Sequence, residues 1–490
     1  MNVLMISPQT PDTFWSFKHV LRFVSKKSTF PPLGLLTVAA MLPREWQITL
    51  VDLNVTRLRD EDLRRADVVM LTAMIVHEAS VREVVARCTA LGKCVVAGGP
   101  LFTTGHEAFP EIQHFVLGEV EELMPQLVAD LQAGRLQKIY QATTRPSMTL
   151  SPVPRWDLID LKHYVTMAVQ FSRGCPFDCE FCDIIVMNGR VPRTKSPAQV
   201  IAELEVLRER GWKDMVFVVD DNFIGNKTRT RALLHELIAW RRRTKPEMGF
   251  LTEASVNLAD DAELRALMVA AGFTKVFVGI ETPVADSLVE CRKVQNQGRD
   301  LVEAVQTLQR DGLQVMGGFI VGFDNDQPDI FKRQFEFIQR SGVVTAMVGL
   351  LSALPQTRLY QRLKREGRLE TKSSGNNTDA TLNFQPKLNR EFLQTGYREL
   401  MKKLYEPRAY YQRIRTFLTN HRAGAVSLRL SWTDFMAFVK SFWLLGVWYR
   451  GRVAYWRFFW GTLLRRPHQF RYGMELAIVG HHFRRVAQRL

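Results

Sequence analysis

Eleven short apolar runs, each followed by a segment long enough for a helix, fill the first 350 or so residues and restrict the chain to a parallel α/β architecture. The first five are NVLMIS, QITLVDL, DVVMLTA, CVVAGG and HFVLG, a pattern that predicts a doubly wound domain. From Tyr164 a second series begins: TMAVQFS, MVFVVDD, FLTEAS, KVFVGIE, QVMGGFIVG and TAMVGLLSA. Six βα units are too few for a closed eight-stranded barrel, so an incomplete one is expected. A Pro-bearing stretch, TTRPSMTLSPVPRW, separates the two series, and after the polar segment KSSGNNTD the sequence turns helical, basic and aromatic. The expected division is 1–140, 141–163 as linker, 164–370 and 371–490.

Three of the six cysteines fall within eight positions, in RGCPFDCEFCDII. So few cysteines, so clustered, argue against a disulfide scaffold and for a reducing compartment. The start of the chain shows no basic region ahead of an apolar run, and no stretch of about 18 apolar residues is unbroken, so a cytoplasmic location is expected. Cys175, Cys179 and Cys182 follow the first strand of the second series, in a loop at the mouth of a barrel, where βα loops build sites. No fourth Cys or His follows at zinc-finger spacing, which disfavours structural zinc. An iron–sulfur cluster is normally held by four thiolates, so three leave one iron open to another ligand.

Cys-x3-Cys-x-Phe-Cys at the first strand end of a partial barrel resembles the radical SAM superfamily. The resemblance implies a 4Fe-4S cluster on Cys175, Cys179 and Cys182 as the catalytic and metal-binding set, with S-adenosylmethionine on the open iron and a reductase or flavodoxin as electron donor. Further motifs match in order along residues 164 to 360. Phe181 falls where an aromatic packs by the adenine, and Asp221 in VVDDNF where the methionine amino group binds. Glu253 in LTEAS, and Gly279 and Glu281 in VGIET, fall where the ribose is contacted and the radical pocket shaped. Gly317 and Gly322 in GGFIVGFD fall where backbone approaches the adenine.

The first domain is similar to the Rossmann-like cobalamin-binding fold that precedes many radical SAM barrels. The matches are Thr72 and Met74 at the third strand end, Gly98, Gly99 and Pro100 at the fourth, and Gly118 and Glu119 in LGEVEE at the fifth. One departure matters: the loop after the first strand, SPQTPDTFWSF, lacks the Asp-x-His-x-x-Gly that supplies a lower cobalt ligand in mutases. His77, beyond the third strand, is the candidate to approach that face. Cys88 and Cys94 are too few for the additional cluster of RNA methylthiotransferases, and Cys291 in VECRKVQ reads as a simple thiol.

The formal charge of +16 is concentrated at one end. Pro386 to Leu490 holds 20 Lys/Arg against 5 Asp/Glu, a net of +15. Five of the ten tryptophans, Trp432, Trp443, Trp448, Trp456 and Trp460, lie in Ser431 to Arg466. Three readings fit: a packed helical domain with a solvated face, nucleic-acid binding with stacked bases, or an anionic membrane surface. Aromatics interleaved with arginine, as in WYRGRVAYWRFFW, favour the membrane over nucleic acid, with Trp443, Trp448, Trp456 and Trp460 in the interface and Arg450, Arg452, Arg457, Arg465 and Arg466 toward phosphate. The chain resembles the subgroup containing hopanoid methylases and bacteriochlorophyll side-chain methylases. That implies a cobalamin-dependent radical SAM methyltransferase acting on an unactivated carbon of a hydrophobic lipid or tetrapyrrole, peripheral on the inner membrane. Cyclisation, rearrangement or coupling without methyl transfer, and modification of a nucleic acid, are the alternatives.

Overall fold

A computed structural model of the chain describes residues 1–21, 23–422 and 432–490, without the side chains of 432–434 and 437. Ser431 and the Trp432 side chain of the aromatic stretch lie outside the described residues. The first sheet contains β1 (Asn2–Ser7), β2 (Gln47–Asp52), β3 (Val68–Thr72), β4 (Cys94–Gly98), β5 (His114–Leu117) and β6 (Ile139–Gln141), all parallel in the order β2-β1-β3-β4-β5-β6. Its strands are apolar at consecutive positions because both faces are covered. Leu4 and Ile6, Val69 and Leu71, and Val95 and Ala97 join one core; Val3 and Met5, Val68 and Met70, and Val96 join the other. β6 is a sixth strand that the apolar pattern does not announce, since only Tyr140 of its three residues is buried.

Next along the chain come β7 (Met167–Val169), β8 (Ser172–Arg173), β9 (Arg193–Thr194), β10 (Val216–Val218), β11 (Phe250–Glu253), β12 (Phe273–Glu281), β13 (Gln314–Val321) and β14 (Ala346–Leu350). β8 and β9 form a small antiparallel pair, and the others make a parallel sheet ordered β14-β13-β12-β11-β10-β7, curled into an open barrel with β7 and β14 at its edges. The fold class is α/β. Residues alternate across a strand, so along β12 Val276, Val278 and Ile280 join the core while Lys275, Phe277 and Gly279 face the lumen.

The loop after β1 crosses the gap between the edge strands. Trp15 donates its indole N–H to Met347 Sδ on β14 at 2.9 Å and packs edge-on to Phe277. Further on, Ser28 O and Thr29 O accept from the N–H groups of Val165 and Thr166, just before β7, at 3.1 and 3.0 Å. This strap is held from outside by the C-terminal helix 470–487, where Phe483 stacks on Phe14 at 4.2 Å and His482 Nε2 lies 2.9 Å from Phe14 O.

The C-terminal helices share one core with the barrel. Arg413, fully buried, donates to Gln339 Oε1, Leu404 O and Val344 O, and Tyr405 donates its hydroxyl to Ala346 O at 2.7 Å. The polar segment expected as a boundary is packed: a side chain on Gly375 would come within 2.8 Å of Ile75 and Val76, and Ser373 meets Ser352 at 2.8 Å. It bridges the loop beyond β3 to the segment beyond β14.

Candidate active site

The cysteine loop is held from below by two adjacent carboxylates. Asp220, buried past the end of β10, accepts the Phe171 N–H at 2.8 Å and the Ser172 hydroxyl at 2.7 Å. Asp221 Oδ2 accepts the Gly174 N–H at 2.7 Å and the Asn188 amide at 2.8 Å. Gly174 sits at φ +99°, with the carbonyls of Gly189 and Val191 each 3.0 Å from where a Cβ would stand, so only glycine serves there. On the opposite side Glu180 donates its N–H to Cys291 O, its carbonyl accepts the Leu359 N–H, and Arg362 and Arg358 pair with Glu180 and Asp178 at 2.7 and 2.8 Å.

The three thiols carry no disulfide. Burial pushes those of Cys175 and Cys182 up, so metal must displace their protons. The amide of Asn222 lies 3.8 Å from Cys175 Sγ and that of Gln295 3.7 Å from Cys179 Sγ, donors of the kind that tune a thiolate-bound cluster. This donor set fits a cluster with one open iron. Cys291 proves to sit behind the loop, its thiol raised by burial and directed to Leu288 O, and so adds no accessible fourth ligand.

The lumen wall beside the loop is acidic around one lysine. Glu253, at the end of β11, is raised to about 8 by burial, with Asp221 adding to the shift; Asp220 is raised to about 7 by burial. Glu281 ends β12 at φ +64°, where the pairing with β13 slips, and is fixed by the Gln334 amide donating to its carbonyl at 2.9 Å. Its carboxylate pairs with Lys293 at 2.7 Å, and the Lys293 ammonium stands 5.8 Å from the centre of the Phe181 ring. Although burial opposes it, Glu281 with the neighbouring cysteines holds the Lys293 pKa above its ordinary value. Lys293 escaped the sequence reading because a lone lysine beside a cysteine carries no motif. Gly279 makes room for this pair: a Cβ there would stand 2.5 Å from Glu281 Oε1 and 2.8 Å from Lys293 Nζ. The expectation for Gly317 requires correction. Alternation turns it toward Phe319 and Val343, outside the lumen, and it is Gly318 that lies against Phe277 on the lumen face. Gly322, just beyond β13, gives its N–H to Asp326 at 2.8 Å.

The C-terminal edge of the first sheet meets this mouth. Gly99, at φ +93°, brings the ends of β3 and β4 so close that a Cβ would fall 2.4 Å from Thr72 Oγ1. Thr103 accepts the Gly118 N–H at 3.0 Å, Pro100 opens the helix 100–105, Gly98 lies against Val116 O, and Met74 is half exposed. An edge of bare backbone with one exposed thioether fits a flat ligand laid across the strand ends. Two expectations change. Glu119 is taken up by Arg173 at 2.8 Å and Arg193 at 2.5 Å, with Glu121 also 2.7 Å from Arg173, so these carboxylates clamp the first sheet onto the strand that carries the cysteine loop. His77 is lowered to about 4 by burial, its Nδ1 accepts the Met74 N–H at 3.3 Å, and its Nε2 lies 3.3 Å from Thr10 Oγ1, so both ring nitrogens are engaged within the domain.

Comparison with known proteins agrees with this geometry. Residues 169–338 match the radical SAM superfamily, 21–128 the B12 binding domain and 357–490 a domain of unknown function, DUF4070. The chain is 41% identical to an uncharacterized methyltransferase of Synechocystis sp., covering 99% of this chain and 91% of that one. It is 32% identical to the hopanoid C-2 methylase of Rhodopseudomonas palustris, covering 94% and 89%. In fold it is similar to the cobalamin-dependent S-adenosylmethionine radical enzyme OxsB, solved with aqua-cobalamin and S-adenosylmethionine bound, at a TM-score of 0.64 and 14% identity over 100% of this chain and 79% of that one. The chain belongs to the cobalamin-binding radical SAM methyltransferases, whose cofactors are a 4Fe-4S cluster, S-adenosylmethionine and cobalamin.

Proposed function

We propose that the protein methylates an unactivated carbon of a large, apolar polycyclic lipid of the hopanoid kind, taken from a membrane surface. The observation that carries the substrate class is a cavity of about 1780 Å³ at the foot of the barrel, walled by Phe17, Leu21, Trp212, Met316, Phe438 and Val479 among others. It lies between the strap, the barrel strands and the C-terminal helices, and its lining is mostly apolar, as a hydrocarbon skeleton requires. The hopanoid activity named for the Rhodopseudomonas relative points the same way.

The lumen face of β12 orders the path. Lys275 lines the cavity, Phe277 two residues on meets Trp15, and Gly279 two further on borders the Glu281–Lys293 pair beside the cysteine loop. Trp15 thus stands between the cavity and the cysteine loop. With cofactors bound, the cluster supplies the electron, from a reductase or flavodoxin, that cleaves S-adenosylmethionine, and cobalamin carries the methyl group. Asp221, Glu253, Glu281 and Phe181 position S-adenosylmethionine in this reading, and the edge from Thr72 to Gly118 receives cobalamin. Glu119 sets the distance between the two.

No helix among the described residues is long and apolar enough to cross a membrane. Contact with one falls instead to the helices 432–443 and 452–465 and the turn joining them, where Trp443, Trp448 and Trp460 are 57%, 80% and 53% exposed, with Val447, Val453 and Leu464 beside them. Exposed aromatics in such number favour docking at headgroup depth. Two parts of the expected surface are corrected: Trp456 turns inward to donate to Gly446 O at 2.9 Å, and Arg466 caps Leu418 O.

The test compares lipid extracts from cells with the intact gene, with no gene, and with Cys179→Ala. A lipid heavier by one methylene in the first alone is expected. Unchanged lipids, with the mass difference in the tetrapyrrole fraction instead, overturn the lipid reading in favour of a tetrapyrrole.

A further inference from the structure

Six cations line a second cleft, of about 850 Å³, in the C-terminal region, far along the chain from the cysteine loop. Arg484 is its floor. It is buried, donates Nε–H to Tyr405 O at 3.0 Å, and its guanidinium carbon stands 4.7 Å from the centre of the Tyr449 ring. Lys402, Arg408, Arg415, Arg450 and Arg457 stand exposed around it, and Glu406 is the single acid in the lining among the described residues. None of the six cations pairs with a carboxylate among the described residues. Burial lowers the Arg415 pKa, and the nearby Arg465 lowers it further, as expected for cations gathered without counter-charge.

Such an arrangement focuses one sign of potential in a concave site, which an anion would complete. Arginine forks match phosphate oxygens two at a time, and several arginines suit a group with several such oxygens better than a single carboxylate. The remaining walls, Tyr405, Tyr411, Tyr449, Val453 and Ala454, supply an apolar side for the rest of the ligand. We infer that this cleft binds a phosphate-bearing ligand, either a free phosphate ester or the headgroup of an anionic lipid. The site stands on its own charge arrangement and goes beyond the substrate reading. Its failure is distinguishable, because pyrophosphate binding involves no membrane and no methyl acceptor.

The experiment titrates the full-length holoprotein with inorganic pyrophosphate and, separately, with monomeric dihexanoyl phosphatidylglycerol. Saturable binding of one equivalent is expected for at least one probe. It should weaken at least about tenfold in Arg415→Gln/Arg457→Gln, since each substitution removes charge-assisted hydrogen bonds. Iron content, cobalamin content and melting should stay as in the parent. Arg408→Gln/Arg450→Gln, two exposed rim positions, repeats the test should the first pair fold poorly. Pyrophosphate alone assigns a free phosphate ester, phosphatidylglycerol alone assigns a headgroup, and both together assign the phosphoryl group itself. No saturable binding of either probe, or binding unchanged in both double variants, overturns the proposal.

Discussion

At the barrel mouth each of the main cations is matched by a carboxylate, whereas in the C-terminal cleft none is among the described residues. Arg173 lies between Glu119 and Glu121, Lys293 faces Glu281, and Arg362 and Arg368 share Asp324, which they hold at about 2 against the opposing effect of burial. Six cations line the cleft beside Glu406, and none of them pairs with it. A buried pair contributes little net stability, but removing one partner leaves the other costly. The mouth is therefore a rigid framework that fixes loops relative to one another. Unmatched charge is tolerated in the cleft because it is mostly exposed, and it leaves binding capacity for something outside the chain.

The contrast can be broken first at the loop it frames. Cys175→Ala, Cys179→Ala and Cys182→Ala should each abolish cluster assembly in anaerobically reconstituted protein, read as iron and sulfide per chain, while Cys291→Ala keeps both. Full iron in all three loop variants refutes the ligand set.

Next in size is the clamp. Glu119→Ala leaves Arg193 without its carboxylate and Arg173 with Glu121 alone, and should cost about 3 kcal/mol in urea unfolding, as unpaired buried charges do. Cobalamin retention on gel filtration should fall with it. A change below about 0.5 kcal/mol, the range of ordinary surface substitutions, shows that the clamp does not couple the two sheets.

A smaller effect comes from pH. Glu253 at about 8 and Asp220 at about 7 bind protons in the folded metal-free chain that the unfolded chain has released above ordinary carboxyl values. For these two groups the unfolded state binds fewer protons, so their contribution to stability should fall as pH rises from about 5 to about 8, opposed below about 6.5 by His77, His421, His481 and His482, which burial lowers to about 4. Glu253→Gln should flatten the slope. A stability difference between parent and Glu253→Gln that does not change with pH over this range contradicts the burial of that carboxyl.

The smallest stability effect is expected in the cleft and on the aromatic surface. Arg457→Gln and Trp448→Ser should each leave unfolding within about 0.5 kcal/mol of the parent. Trp448→Ser should nonetheless reduce flotation with anionic vesicles at low salt, where the electrostatic part of membrane binding is least screened. Equal flotation of parent and Trp448→Ser removes the membrane role from the turn between the two helices.

The sequence by itself determined the two parallel sheets and the cysteine loop. Strand periodicity and the x3, x2 cysteine spacing are local properties, readable wherever the chain goes. It also located the basic, aromatic end and the strand ends that border the mouth. It did not reveal β6, whose three residues bury one side chain, nor that the polar segment 372–379 packs across two regions. Partners were decided only by the tertiary structure. Glu119 meets Arg173 and Arg193 across 54 and 74 positions, Trp15 reaches Met347 across 332, and Gly318 replaces Gly317 at the lumen because the register of β13 against β12 sets which face each presents. A charge or an aromatic ring is defined chemically by its residue type but physically by its neighbours, and loops far apart in the chain become neighbours only when the strands that carry them pair.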